Sequence, residues 1–234
     1  MMYRKLSLAL AGFALAAASF AASAQSFSNP ANIVINDSVP ATPYPSTVSV
    51  SGVTNTNNKV TVTLNGFSHT FSADLNIVVV APSGQSVALA NRVGGGNNYT
   101  GGSYTFDDAA TTIVTGDGSG IIPIGSYRPS GGSTNLTAPG PAGPYGSSLD
   151  ALGNGVNGTW SLYVADQVGA DVGQISGGWT VTFAPDTTCA SEGYTGTQLE
   201  WCKNICEKGY TGQLLSAWIH RWTLRYRALP YCAL

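Results

Sequence analysis

The stretch "NGTWSLYVADQVGADVGQISGGWTVTF", residues 157–183, holds two tryptophan-led segments on either side of a loop carrying Asp166 and Asp171. The large apolar residues alternate in each segment: Trp160, Leu162 and Val164 in the first, Trp179, Val181 and Phe183 in the second. Period two is the signature of a strand with one buried face. The stretch therefore predicts two strands that close a β core with their rings turned inward. It leaves three uses for the loop carboxylates: catalysis, metal binding or turn formation.

The same alternation runs outward along the chain. In "KVTVTLNGF" Val60, Val62 and Leu64 share a face, and in "ADLNIVVVAPSG" Leu75, Ile77 and Val79 do, the strand stopping at Pro82-Ser83-Gly84. Further strands read at "STVSV", "SVALA" and "GSYTF", and nothing between them has the three-to-four residue period of a helix. The Gly/Pro/Ser-rich passage Gly116 to Gly146 cannot supply a continuous strand and is expected to wrap one end of the fold. Many short strands between Gly, Asn and Pro turns predict a two-sheet sandwich, jelly roll or Greek key.

Arg4 and Lys5, the apolar run "LALAGFALAAASFAA" and the small triplet Ala22-Ser23-Ala24 read as a signal peptide over residues 1–24. The mature chain is then expected to begin near Gln25 and to meet an oxidising, exported compartment: periplasm, cell surface or medium. No later segment reaches the ~20 apolar residues of a membrane span. Residues 26–186 hold nine Asp, no Glu and only Lys59, Arg92 and Arg128, three cations against nine carboxylates for a net of −6. Residues 187–234 set Lys203, Lys208, Arg221, Arg225 and Arg227 against Glu192, Glu200 and Glu207, a net of +2. All four cysteines fall in this second part. The expected organisation is an acidic β module, 25–186, and a Cys-rich helical tail, 187–234. The acidity of the larger module argues against nucleic acid as a partner.

The ordered set "HTFSADLNIVVVAPSGQSVAL", "RVGGGNN", "YTFDDAA", "GSYRP", "NGTWSLYVAD" and "GADVGQISGGWTVTF" resembles the proprotein convertase P domain, also called the Homo B domain, over residues 32–184. The resemblance implies a jelly-roll-type β-sandwich, a family module usually attached behind a subtilisin-like serine protease domain whose folding and stability it supports. The two tryptophan segments then correspond to the closing strands, and His69 to a histidine common in the family before a strand.

Nucleophilic catalysis needs a nucleophile, a base and an orienting group brought together. The chain has two histidines, His69 and His220, no G-x-S-x-G elbow and no Gly-Thr-Ser stretch of subtilisin type. Too few residues precede the first strand for a protease domain. Catalytic residues are therefore expected to be none, and His69 to be structural. Paired carboxylates, Asp107 with Asp108 or Asp166 with Asp171, are conceivable as acid and base, but Asp in Asn/Gly-rich turns more commonly forms the turn. Calcium takes about six to eight oxygen ligands. Asp74, Asn76, Asp107, Asp108, Asp166 and Asp171 are the candidates for a structural Ca²⁺, on composition rather than strict spacing. "RVGGGNN" lacks the Lys-Ser/Thr of a phosphate loop and reads as a turn.

In the tail Gly193-Tyr194-Thr195-Gly196 recurs as Gly209-Tyr210-Thr211-Gly212, each Thr an expected N-cap. Two helices follow, the first ending near Gly209 and the second running to Pro230. Leu215, Trp218, Ile219, Trp222, Tyr226 and Leu229 form an apolar stripe. Trp218, Arg221, Trp222 and Arg225 are the candidate interaction surface. Cys202 and Cys206 lie four apart on one helical face, so each is expected to bridge to one of the flanking Cys189 and Cys232, with a four-cysteine zinc site as the alternative. The tail resembles short Cys/Trp-rich C-terminal modules of exported bacterial proteins.

These readings predict an exported, non-catalytic protein in which a P-domain-like sandwich, followed by a disulfide-stapled helical hairpin, binds a partner or stabilises a protease. The expected partner is a separately encoded secreted protease or an envelope component. The alternatives are a serine-endopeptidase-associated component that takes part in proteolysis, and an envelope anchor acting through the Trp/Arg tail.

Overall fold

Alternation of Val60, Val62 and Leu64 produces β4 (Asn58–His69), whose inward residues are buried along its length. The computed structural model describes residues 23–233, so the expected signal peptide lies outside the described residues except for its last two. In it, β4 is the centre of a seven-stranded sheet. Its first half pairs antiparallel with β11 (Trp179–Pro185) and its end with β10 (Gly173–Ile175). Its other edge pairs with β7 (Tyr99–Asp107). β1 (Gln25–Asn29) flanks β11, β2 (Ile33–Ile35) flanks β10, and β8 (Ser126–Tyr127) runs parallel to β7. The second sheet has four antiparallel strands in the order β3 (Ser46–Val50), β9 (Gly158–Asp166), β5 (Leu75–Val80), β6 (Ser86–Asn91).

The β4–β7 register slips between Leu64 and Phe67. Gly66 sits there with φ +66, the left-handed region that favours glycine, and a Cβ would collide with the Ser176 hydroxyl. This bulge lets one long strand serve β11 with its first half and β10 with its second.

The two sheets face each other across one apolar core. The faces expected from the alternation, those of Val60, Leu75, Trp160 and Trp179, all turn into it. Trp160 and Trp179 are fully buried, and each finds a partner for its polar edge: Trp160 Nε1–H donates to the Val156 carbonyl at 2.8 Å, Trp179 Nε1–H to Ser46 Oγ at 3.1 Å.

The Gly/Pro-rich passage does more than close an end. Leu136 and Tyr145 lie with Val78, Ala88 and Ala165 in a second apolar cluster on the outer face of the four-stranded sheet. Tyr145 fixes this cover by accepting from Leu136 N–H at 3.0 Å and donating to the Pro141 carbonyl at 2.7 Å. β5 is thereby buried on both faces, which explains its unbroken "IVVV".

The tail forms α1 (Gly196–Cys206) and α2 (Gly212–Thr223). Thr195 and Thr211 occupy the expected cap positions in extended conformation, but neither hydroxyl makes a capping bond. Both helices stop earlier than expected. After Thr223 the chain turns with Tyr226 N–H on the Trp222 carbonyl, and Trp222 Nε1–H donates to the Ala228 carbonyl, which folds Leu229 back onto the pair. Cys189 bonds Cys202 and Cys206 bonds Cys232. The four sulfurs are thus engaged as cystines, not thiolates for zinc. The stripe residues pack around Trp222, Cys189, Cys202 and Ile205 in a core that shares no residue with that of the sandwich.

Candidate functional site

β4 ends at His69, β9 ends at Asp166, and β5 starts opposite Asp166 at Leu75. The sheet edges therefore bring together two side chains 97 residues apart: His69 Nε2–H donates to Asp166 Oδ2 at 3.1 Å. Both side chains are 0% exposed. Asp166 Oδ1 accepts the Val168 N–H at 2.9 Å, turning the chain out of β9. His69 Nδ1 accepts the Phe71 N–H at 3.2 Å, with the Phe71 carbonyl at 3.0 Å on the same side. Every polar atom of the pair is thus held by the protein, and the ring is clamped between two strands and the turn that leaves β4.

Asp74 closes the same corner from the 3₁₀ turn Ser72–Asp74, its carbonyl accepting the Gln167 N–H. Burial, then the neighbouring Asp166 carboxylate, push the Asp74 carboxyl above its ordinary value, with Arg92 opposing. Asp171 accepts a hydrogen bond from the Thr70 hydroxyl on the loop between β9 and β10.

The other expected calcium ligands lie elsewhere. Asn76 is fully buried, its Oδ1 accepting from Asn91 at 2.7 Å and its amide donating to the Thr134 carbonyl. It pins the cover segment to the sheet and has no free oxygen to offer. Asp107 accepts the Ala109 N–H in a turn at the end of β7. Asp108 caps the 3₁₀ turn Asp150–Leu152, taking the Leu149 and Asp150 N–H groups at 2.9 and 3.0 Å and the Ser148 hydroxyl. The six candidates are thus dispersed among several separate places.

Two polar clefts lie away from the His69 corner. They measure about 440 and 270 Å³, lie side by side where the sandwich passes into the tail, and share Asn57, Asp186 and Ser191. The sequence reading missed them, because their lining comes from three segments with no shared motif.

On the tail, Arg221 lies over the Trp218 ring at 4.9 Å and Arg225 over Trp201 at 5.8 Å. Trp222 is fully buried, so the expected tail surface reduces to Trp218, Arg221 and Arg225. The apolar stripe points inward and leaves Trp222 no outward face. Among the described residues no helix is long and apolar enough to cross a membrane.

No family model matches the chain, and no curated protein matches it. Among solved structures it is similar to a serine protease of Aeromonas sobria in complex with its chaperone, at TM-score 0.34, and to that serine protease alone, at 0.32. In each case the identity is 13%, and the match covers 68% of this chain and 26% of the other. The chain therefore spans about a quarter of the length of the structures it matches.

Proposed function

We propose that this is an exported accessory module, a P-domain-like sandwich that binds a secreted protease or an envelope component and does no chemistry of its own. The observation that carries the reading is the enclosure of His69 and Asp166. A general base must touch the proton it takes, and this His–Asp pair is sealed from solvent, its ring atoms already bonded to strand ends and turn. The pair holds β4, β9 and the following turn in register. The motif order resembling the P domain supports the same reading, and the two disulfides suit a chain that matures in an oxidising compartment. Calcium bound for stability is part of the proposal.

The test is affinity capture from the host's exported fraction with residues 25–234 and 25–186 as parallel baits. A subtilisin-like protease retained by both baits, and melting higher with the chain than without, supports the accessory role. An envelope component held only by the longer bait makes the tail the functional end. Peptide hydrolysis by the pure chain, lost on Asp166→Asn, overturns the reading.

A further inference from the structure

Asn58 begins β4 and is 2% exposed. Its side-chain amide donates to the Asn55 carbonyl at 3.1 Å and the Gly153 carbonyl at 3.0 Å. These two bonds fix which end of the amide is nitrogen, because a flip would set oxygen against oxygen twice. Its Oδ1 is consequently aimed the other way, and there it has no protein partner. Buried amide oxygens without partners are rare, and each points to a missing ligand or water.

Two carboxylates line the same 270 Å³ cleft. Asp186, where the chain leaves the sandwich, also has a buried oxygen, Oδ1, without a partner. Asp150 Oδ1 accepts the Val60 N–H at 2.9 Å, and its second oxygen has no hydrogen-bond donor among the described residues. Two carboxylates line the cleft, and its lining includes no Lys, Arg or His side chain. A water could satisfy one orphan; two orphaned oxygens, one an amide's and one the Asp186 carboxylate's, beside a second carboxylate match the donor set of a hard cation.

We propose that Asn58, Asp150 and Asp186 bind a calcium ion that ties the root of the tail to the sandwich. The linker is already laid against this wall: Asn57 donates to the Ser191 carbonyl at 3.0 Å, Asp186 N–H to the Asn57 carbonyl at 3.2 Å, and the Ser191 hydroxyl bonds back to the Asp186 carbonyl. Two carboxylates and an amide leave the remaining positions to water or exposed carbonyls, the makeup of a weak site with Kd on the order of 10⁻⁴ to 10⁻³ M. Magnesium, which demands a tighter octahedron, should bind more weakly. The site rests on the expectation that the module takes calcium, not on its having a protease partner.

Equilibrium dialysis of the full chain with ⁴⁵Ca²⁺ tests it. The expected result is one ion per chain, with affinity reduced at least about tenfold in Asp186→Asn and unchanged in Asp74→Asn, all three proteins having the same far-UV circular dichroism. No binding by the wild type, or binding lost in Asp74→Asn and kept in Asp186→Asn, overturns the site. Calcium titration of the wild type followed by NMR needs no variant. Shifts confined to Asn58, Asp150 and Asp186–Ser191 support the proposal, and shifts at the His69 corner alone, or none at all, refute it. Because both readouts use the chain by itself, failure here leaves the capture result untouched.

Discussion

At Asp166 one carboxylate oxygen holds the His69 ring and the other the Val168 N–H. Asp166→Ala would orphan both donors in a place closed to water, for a loss of about 3 kcal/mol. Urea denaturation should show a lower midpoint at unchanged slope, and a midpoint equal to wild type would show the pair to be dispensable. Asp74 is the opposite case. Its folded value lies above the ordinary 3.8, so the folded chain keeps this proton to higher pH than the unfolded chain does. Stability from this group is therefore greatest below the ordinary carboxylate range and declines as pH rises from 3.8 through the raised value. In chelator, Asp74→Asn should raise the thermal midpoint at pH 7 and leave it unchanged at pH 3. A variant that melts lower at pH 7 would show the charged form of Asp74 to be stabilising. Little of this was legible in the sequence. "SHTFSADL" and "YVADQVGAD" each announce polar residues at a strand end, but only the register of β5, β9 and β10 brings His69 to Asp166. Asn58, Asp150 and Asp186 are likewise joined only by the folded chain.

Strands whose apolar residues alternate were legible because burial of one face leaves a period of two: β3, β4, β5, β6, β7, β9 and β11 all fall on expected segments. β1 and β10 were not, since "QSFSN" and "GQI" bury too few side chains to write a pattern, and the partner strand's edge decides them. The helices overran in the reading because the apolar stripe continues past Thr223 to Leu229 while the backbone has already turned. Helix geometry excludes a Cys202–Cys206 bridge but leaves two pairings open, and the folded chain decides between them: Cys202 and Cys206 reach Cys189 and Cys232, 13 and 26 residues away. Each should contribute about 2–4 kcal/mol. Reduction by dithiothreitol should abolish the helical far-ultraviolet circular dichroism and leave near-ultraviolet signals of Trp160 and Trp179 intact. Loss of both together would mean that tail and sandwich unfold as one.

Among the described residues, the apolar core between the sheets and the one within the cystine-linked helices have no residue in common. Calorimetry of the full chain should therefore resolve two transitions, and residues 25–186 alone should keep the sandwich transition. A single transition that vanishes on truncation would make the tail part of the sandwich's folding unit. Calcium should raise the sandwich transition relative to chelator; equal midpoints would remove the ion from the account. The margin of the larger sheet has a consequence of another kind. β1 covers the free edge of β11 from Gln25 onward, and its Ser26 and Ser28 hydroxyls meet Thr182 and Thr180 across the strand pair. An unpaired β11, with Trp179, Val181 and Phe183 along it, would be an open template for another chain. Trimming the five residues of β1, in a shortened expression fragment or by an aminopeptidase, should thus leave a core that still folds but self-associates edge to edge, so that solubility rather than stability sets where the chain can be cut.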